Sequence, residues 1–286
     1  MGKLYSGDKM SIRTDLIAEQ QEEKAKHLSG IRQHEEKIGN VTLSTVKITE
    51  DSAARILQKP KGTYCTVEFP RLDSVCDTDD LINATVKALQ ILVPQGSDRT
   101  LVVGLGNTDI TPDALGPFTA DGVLATRHLS DNLKRTLGLE GLKSVSCLIP
   151  GVLGKTGIET YDIISSTAKK INPSIIIAID ALAARSPHRL CRTVQLSDSG
   201  ICPGAGVNNS RKELSKKTVG APVIAVGIPT VIDANGLFKD GISQENMMVT
   251  PKEIDLLVEK SAAVLSRALN IFLQPSLDIG IIESLT

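Results

Sequence analysis

Residues 174–180 read SIIIAID, an unbroken run of isoleucine and alanine closed by a carboxylate. A run without polar alternation is buried on both faces, as the central strand of a parallel sheet is. Such a sheet must be covered by helices on both sides, so this one stretch predicts an α/β fold. Composition agrees: aromatics make up 2% of the chain and Trp is absent, so the core must come from Ile, Leu, Val and Ala. Asp180 stands at the end of the predicted strand. The segment ALAARS after it is suited to start a turn or a helix.

A second stretch, residues 101–117, answers the first: LVVGLGNTDITPDALGP. Its apolar run breaks at Gly104, with Gly106 and Asn107 just beyond, and both residue types tolerate the backbone angles of a sharp turn. Thr111, Pro112 and Asp113 then read as an N-cap, a first-turn proline and an acid at the positive end of a helix dipole. Ligands and catalytic groups of open α/β sheets gather at the C-terminal edge of the strands. Two parallel strands each bringing an aspartate to that edge would set Asp113 and Asp180 close together. Taken singly, each also reads as a cap or turn residue.

The 286 residues allow one large domain or two small ones. With 32 Lys plus Arg against 33 Asp plus Glu, the net charge of −1 gives no electrostatic case for nucleic acid or an anionic membrane as partner. No signal peptide opens the chain and no apolar run suits a bilayer span, so the expectation is a soluble intracellular protein. The five cysteines, Cys65, Cys76, Cys147, Cys191 and Cys202, lack CxxC or Cys/His spacing, which speaks against a disulfide framework or a zinc site. Cys65 and Cys147 fall in apolar strand-like runs and read as core residues. His128 and His188 lie near the proposed edge, but no HxxxH or HExxH pattern supports a metal cluster.

Along the chain, residues 12–28 read as a charged helix with a thin apolar face, capped by Thr14 or Asp15, and hence as a solvated or detachable element. Residues 42–48 and 63–69 alternate as strands with one wet face, separated by a short capped helix that ends near Lys59 and Pro60. Helices are expected over 78–93, 114–129, 133–137, 158–170 and 251–273, and further strands over 145–149, 193–197 and 223–228. GVLGKTG at 151–157 resembles a phosphate loop, but G-x-x-x-x-G-K-[ST] needs glycine at position 149, where Ile149 stands. A glycine turn is the better reading. The loop ICPGAGVNN at 201–209 is a candidate cleft lining. No repeat of 20–50 residues is visible. From these residues alone, the chain reads as an α/β hydrolase-like enzyme with a two-aspartate site.

Longer motifs sharpen this. VGLGN-x-x-x-TPDALGP at 103–117, TRHL at 126–129, PGV-x-G-x-TGIET at 150–160, IAIDALAARS at 177–186 and GIPTVIDA at 227–234 resemble those of the spore germination protease family. The likeness covers nearly the whole chain. It implies an α/β fold related to hydrogenase-maturation proteases, with a mixed, largely parallel sheet flanked by helices. It also implies a homotetramer in the forespore or spore core, made as an inactive zymogen, whose substrates are small acid-soluble spore proteins. The implied mechanism is that of an atypical aspartic peptidase needing no metal or other cofactor, with Asp113 and Asp180 as the catalytic pair. One departure is Asn208–Asn209, where the family would place glycine before asparagine. By the same resemblance residues 1–15 are a propeptide and residues 16–286 the peptidase domain, with the cut between Asp15 and Leu16 in RTDLIAEQ. The segment is polar, so its loss is expected to cost the core little. Two other classes remain open: a metal-dependent maturation-type peptidase with Asp113, Asp180 and His128 as ligands, and a non-catalytic peptide-binding protein.

Overall fold

The computed structural model describes residues 14–24, 28–72, 78–136, 138–139, 141–202, 212–234 and 247–285. Residues 1–13, Cys76 and residues 203–209 of the candidate cleft loop, Asn208 and Asn209 included, lie outside them.

The strands are β1 (Ile31–Ile38), β2 (Val41–Ile48), β3 (Gly62–Glu68), β4 (Arg99–Gly104), β5 (Ser144–Leu148), β6 (Ile175–Ala184), β7 (Thr193–Ser197), β8 (Val223–Asp233) and β9 (Met248–Val249). The helices are α1 (Ile17–Lys24), α2 (Asp51–Leu57), α3 (Asp79–Leu92), α4 (Leu115–Asp121), α5 (Asp131–Thr136), α6 (Leu153–Thr156), α7 (Thr160–Ile171), α8 (Lys216–Val219), α9 (Ile254–Leu273) and α10 (Ile279–Leu285). The strands form one sheet in the order β1-β2-β3-β7-β8-β6-β4-β5, with β9 paired to the far end of β8. It has two halves. β8, β6, β4 and β5 run parallel, whereas β1, β2, β3 and β7 pair antiparallel with one another and onto β8. The expected α/β architecture, a mixed sheet flanked by helices, is the one found.

β6 shows why its sequence is continuously apolar. Ile175, Ile177 and Ile179 pack into the core shared with α3, α4 and α9, while Ile176 and Ala178 face α7 on the opposite side. A third, smaller cluster joins Ile17 of α1 and Leu57 of α2 to Val46, Ile48 and Tyr64 of the antiparallel half. Among the described residues no helix is long and apolar enough to cross a membrane.

Three expectations are corrected. β6 continues through Ala181–Ala184 with a register shift between Leu182 and Ala183, so Asp180 lies inside the strand instead of at its end. The helix expected over 114–129 stops at Asp121. Gly122 follows it, pressed so closely on α9 that a Cβ would lie 2.8 Å from Ser266 Oγ, and Asn270 of α9 binds the Gly122 carbonyl and the Leu124 N–H. The helix expected over 12–28 begins at Ile17, and its first residues are not solvated: Leu16 and Ile17 are fully buried.

Candidate active site

The register of the central strands sets out one row of side chains. Thr66 pairs with Gln195, Gln195 with Gly227, and Gly227 with Asp180. Residues opposite one another in a sheet point to the same face, here the one away from the α3–α4–α9 core. Gly227 contributes no side chain, so Gln195 and Asp180 stand on either side of a gap. Glycine is required there by space: a Cβ would sit 2.6 Å from the Asp180 carbonyl oxygen. Over this gap, where the α1–α2 cluster ends and the α7 cluster begins, lies a cavity of about 350 Å³ lined by Asp180, Gln195, Gly227, Asp15, Lys59 and Tyr64 among others. Asp180 is 7% exposed, and its Oδ1 accepts the Ala181 N–H at 3.0 Å. A buried carboxylate needs such donors.

Asp113 reaches the same end of the sheet by another route. After β4 the chain turns at Gly106 (φ +121°), and residues Thr111–Asp113 form a single 3₁₀ turn packed against β6 and β8. The turn is tied at several points: Asn107 N–H donates to the Asp113 carbonyl at 3.1 Å, Asp113 N–H to the Ile110 carbonyl at 2.7 Å, and Thr230 Oγ1 to the Pro112 carbonyl at 2.7 Å. Thr111 is not the N-cap; Ile110 occupies that position without a side-chain bond. Leu105 N–H donates to the carbonyl of Ile179, the residue before Asp180, at 2.8 Å. Gly116 then lets α4 approach these strand ends, since a Cβ would lie 2.2 Å from the Leu105 carbonyl oxygen. Asp180 thus stands one residue past the end of the β4–β6 pairing, and Asp113 in the turn that follows β4. Asp180 lines the cavity, and Asp113, half-buried in its turn, is not among the lining residues.

The segment before α1 lies on this site. Asp15 N–H donates to the Ala183 carbonyl at 3.0 Å, and Ala183 N–H returns a bond to Asp15 Oδ2 at 2.9 Å. Lys59 Nζ donates to the Asp15 carbonyl at 2.8 Å, Leu16 N–H to Thr14 Oγ1 at 3.1 Å, and Ile17 N–H to Gln195 Oε1 at 3.1 Å. Further on, the two carboxylate oxygens of Glu19 take the N–H groups of Arg185 and Ser186, each at 2.8 Å. The sequence led to Asp15, Leu16 and Asp180 but missed Lys59, Gln195 and the Ala183 backbone. Gln195 could have been found: it is the one amide in TVQLS, a strand buried at every position.

The sequence profile of the germination proteases matches residues 10–244. The chain belongs to the germination protease family. It is 37% identical to the germination protease of Clostridium tetani, with 96% of this chain and 99% of that one aligned. Against that of Caldanaerobacter subterraneus the identity is 36%, over 94% of this chain and 96% of the relative. Against that of Priestia megaterium it is 45%, over 81% of this chain and 66% of the relative. Among solved structures, the [NiFe] hydrogenase maturation protease HycI from Thermococcus kodakarensis aligns at a TM-score of 0.36 and 17% identity, covering 61% of this chain and 94% of that one. Family membership makes the chain a germination-related protease.

Other chemistries for a protease can be weighed against the side chains. Burial pushes the thiols of Cys65, Cys147 and Cys191 up to about 11, and it also raises that of Cys202, which lines the cavity. The thiolate is the nucleophilic form, so these environments work against a cysteine nucleophile. His128 and His188 are both exposed, and neither lines the cavity. Among the described residues no three His, Cys, Asp or Glu side chains come together as a metal site.

Proposed function

We propose that this protein is an endopeptidase that degrades small acid-soluble spore proteins during germination, and that Asp113 and Asp180 form its acid–base pair. Peptide hydrolysis needs a base to take a proton from water and an acid to give one to the leaving nitrogen. Two neighbouring carboxylates sharing one proton supply both, because like charges that close do not both ionise cheaply. The protein is made as a zymogen and cuts itself between Asp15 and Leu16, leaving residues 16–286 as the active chain. It works as a homotetramer in the spore core.

One observation carries this reading: Asp15, an acid followed by the large aliphatic Leu16, is hydrogen-bonded at the wall of the same cavity that Asp180 lines. Incubating the purified full-length chain with a small acid-soluble spore protein, and reading both by mass spectrometry, tests it. The expected fragments begin at large aliphatic residues that follow an acid, the chain itself acquires Leu16 as its N-terminus, and EDTA changes neither outcome. An intact spore protein would contradict the assignment. Cleavage that stops in EDTA would return the metal-dependent reading.

A further inference from the structure

Any catalytic role for Lys59 rests on the reading that the protein cuts itself between Asp15 and Leu16. That bond lies beside the end of β6, just before α1. The Asp15 side chain and N–H are both held by Ala183, and the N–H two residues on, at Ile17, is held by Gln195. Lys59 Nζ touches the carbonyl that would have to react, at 2.8 Å from the Asp15 oxygen. The root of Lys59 is fixed on both sides. α2 ends at Leu57, buried in the cluster with Ile17, and Gln58 turns through a left-handed conformation (φ 52°). Lys59 N–H then closes onto the Ala54 carbonyl at 3.1 Å, and Tyr64 Oη binds the Pro60 carbonyl at 2.7 Å.

We propose that Lys59 is a catalytic residue of this protease, whose ammonium binds the carbonyl oxygen of the bond being cut and stabilises the negative charge that develops there. Water adds to the Asp15 carbonyl carbon and yields a proton to a carboxylate of the site. The C–N bond to Leu16 then breaks as the leaving nitrogen takes that proton back from the site's carboxyl, and the new Asp15 acid loses its own proton to the new amine or to water, giving a carboxylate on Asp15 and an amine on Leu16 with the site reset. Lys59 keeps its own protons throughout. In the resting bond it faces a neutral oxygen, and in the tetrahedral intermediate an oxyanion, so its interaction strengthens as the transition state forms. A spore-protein substrate seated in the same register would present its carbonyl to the same ammonium.

The test follows self-processing of full-length Lys59→Met and Lys59→Arg chains by intact mass, together with amide hydrogen exchange at Ile17. Removing an oxyanion donor costs on the order of a hundredfold or more in rate. Lys59→Met is therefore expected to release residues 1–15 about a hundredfold more slowly than wild type while Ile17 stays protected, with Lys59→Arg recovering part of the rate. An unchanged or faster release overturns the proposal, because Lys59 would then be a bystander or a latch. A slower release with Ile17 unprotected also overturns it, since Lys59 would then only seat the segment. If the wild-type chain is cut elsewhere than at Asp15–Leu16, the processing reading falls together with this one. Normal wild-type cutting with an unaffected Lys59→Met chain removes the Lys59 assignment alone.

Discussion

The two halves of the sheet bring different things to one cavity. The parallel half, β8-β6-β4-β5, supplies the Asp180 carboxylate to it from within β6, while Asp113 stands in the turn after β4, outside the lining. The antiparallel half supplies groups that hold a peptide: the Gln195 amide from β7 and the Lys59 ammonium from the turn before β3. Asp180 stands in a rigid, water-poor frame, since β6 is buried on both faces by helices. Gripping an extended chain needs donors and acceptors along a seam, and the antiparallel strands meet the parallel ones at such a seam. The site belongs to neither half. It lies at Gly227, where β8 pairs parallel with β6 on one side and antiparallel with β7 on the other.

This division can be broken first at the proposed acid–base pair. Asp113→Asn keeps the shape of the 3₁₀ turn but removes an ionisable group. Cleavage of a separate peptide is expected to fall by about a hundredfold or more, with the melting curve unchanged. If cleavage persists at near wild-type rate, the parallel half contributes Asp180 alone.

The seam comes next. Gly227→Ala places a Cβ 2.6 Å from the Asp180 carbonyl oxygen and 2.7 Å from Leu182 Cγ. Overpacking of this kind costs about 1–3 kcal/mol, visible as a lower denaturant midpoint. A variant as stable as wild type would mean that β6 and β8 can separate freely at this row. On the gripping side, Gln195→Leu leaves the buried Ile17 N–H without its acceptor, a loss of about 1–3 kcal/mol. Faster amide exchange at Ile17 should report it, while the exchange of β6 amides stays unchanged. The smallest effect is expected at Cys202. Burial raises its thiol above the ordinary range, which works against a thiolate nucleophile, and Cys202→Ala should keep cleavage within about twofold. A Cys202→Ala chain without activity would restore a cysteine mechanism.

The same two halves differ in how legible they were. In the parallel half the continuous apolar runs of β4 and β6 gave both strands and both aspartates, because burial on two faces leaves a pattern no surface strand shows. The end of β6 was misread, since ALAARS has no strong preference of its own and is kept extended by pairing with β8 through Ala184. In the antiparallel half β2 and β3 alternate and were found, but β1, IRQHEEKI, is an exposed edge strand whose polar residues carry no burial signal. It exists because β2 pairs with it along its whole length. The segment around Asp15 misled for the opposite reason. Its composition is polar, yet Leu16 and Ile17 are fully buried and Glu19 is held by two backbone N–H groups, none of which periodicity reveals. Lys59 left no trace in the sequence, because its role depends on where a helix C-terminus meets a segment 44 residues away along the chain.

That buried segment also changes what its removal means. Cutting after Asp15 leaves Leu16 as a new N-terminus at a fully buried position, so release of residues 1–15 must expose a charged amine or let the start of α1 rearrange. The most direct measurement is therefore the intact mass over time of the purified full-length chain, wild type beside Asp180→Asn. The wild-type chain should lose residues 1–15 while the folded Asp180→Asn chain keeps them for at least about a hundred times longer. Loss of the same fifteen residues from Asp180→Asn at the wild-type rate, in a preparation free of other proteases, would contradict a site built on that aspartate.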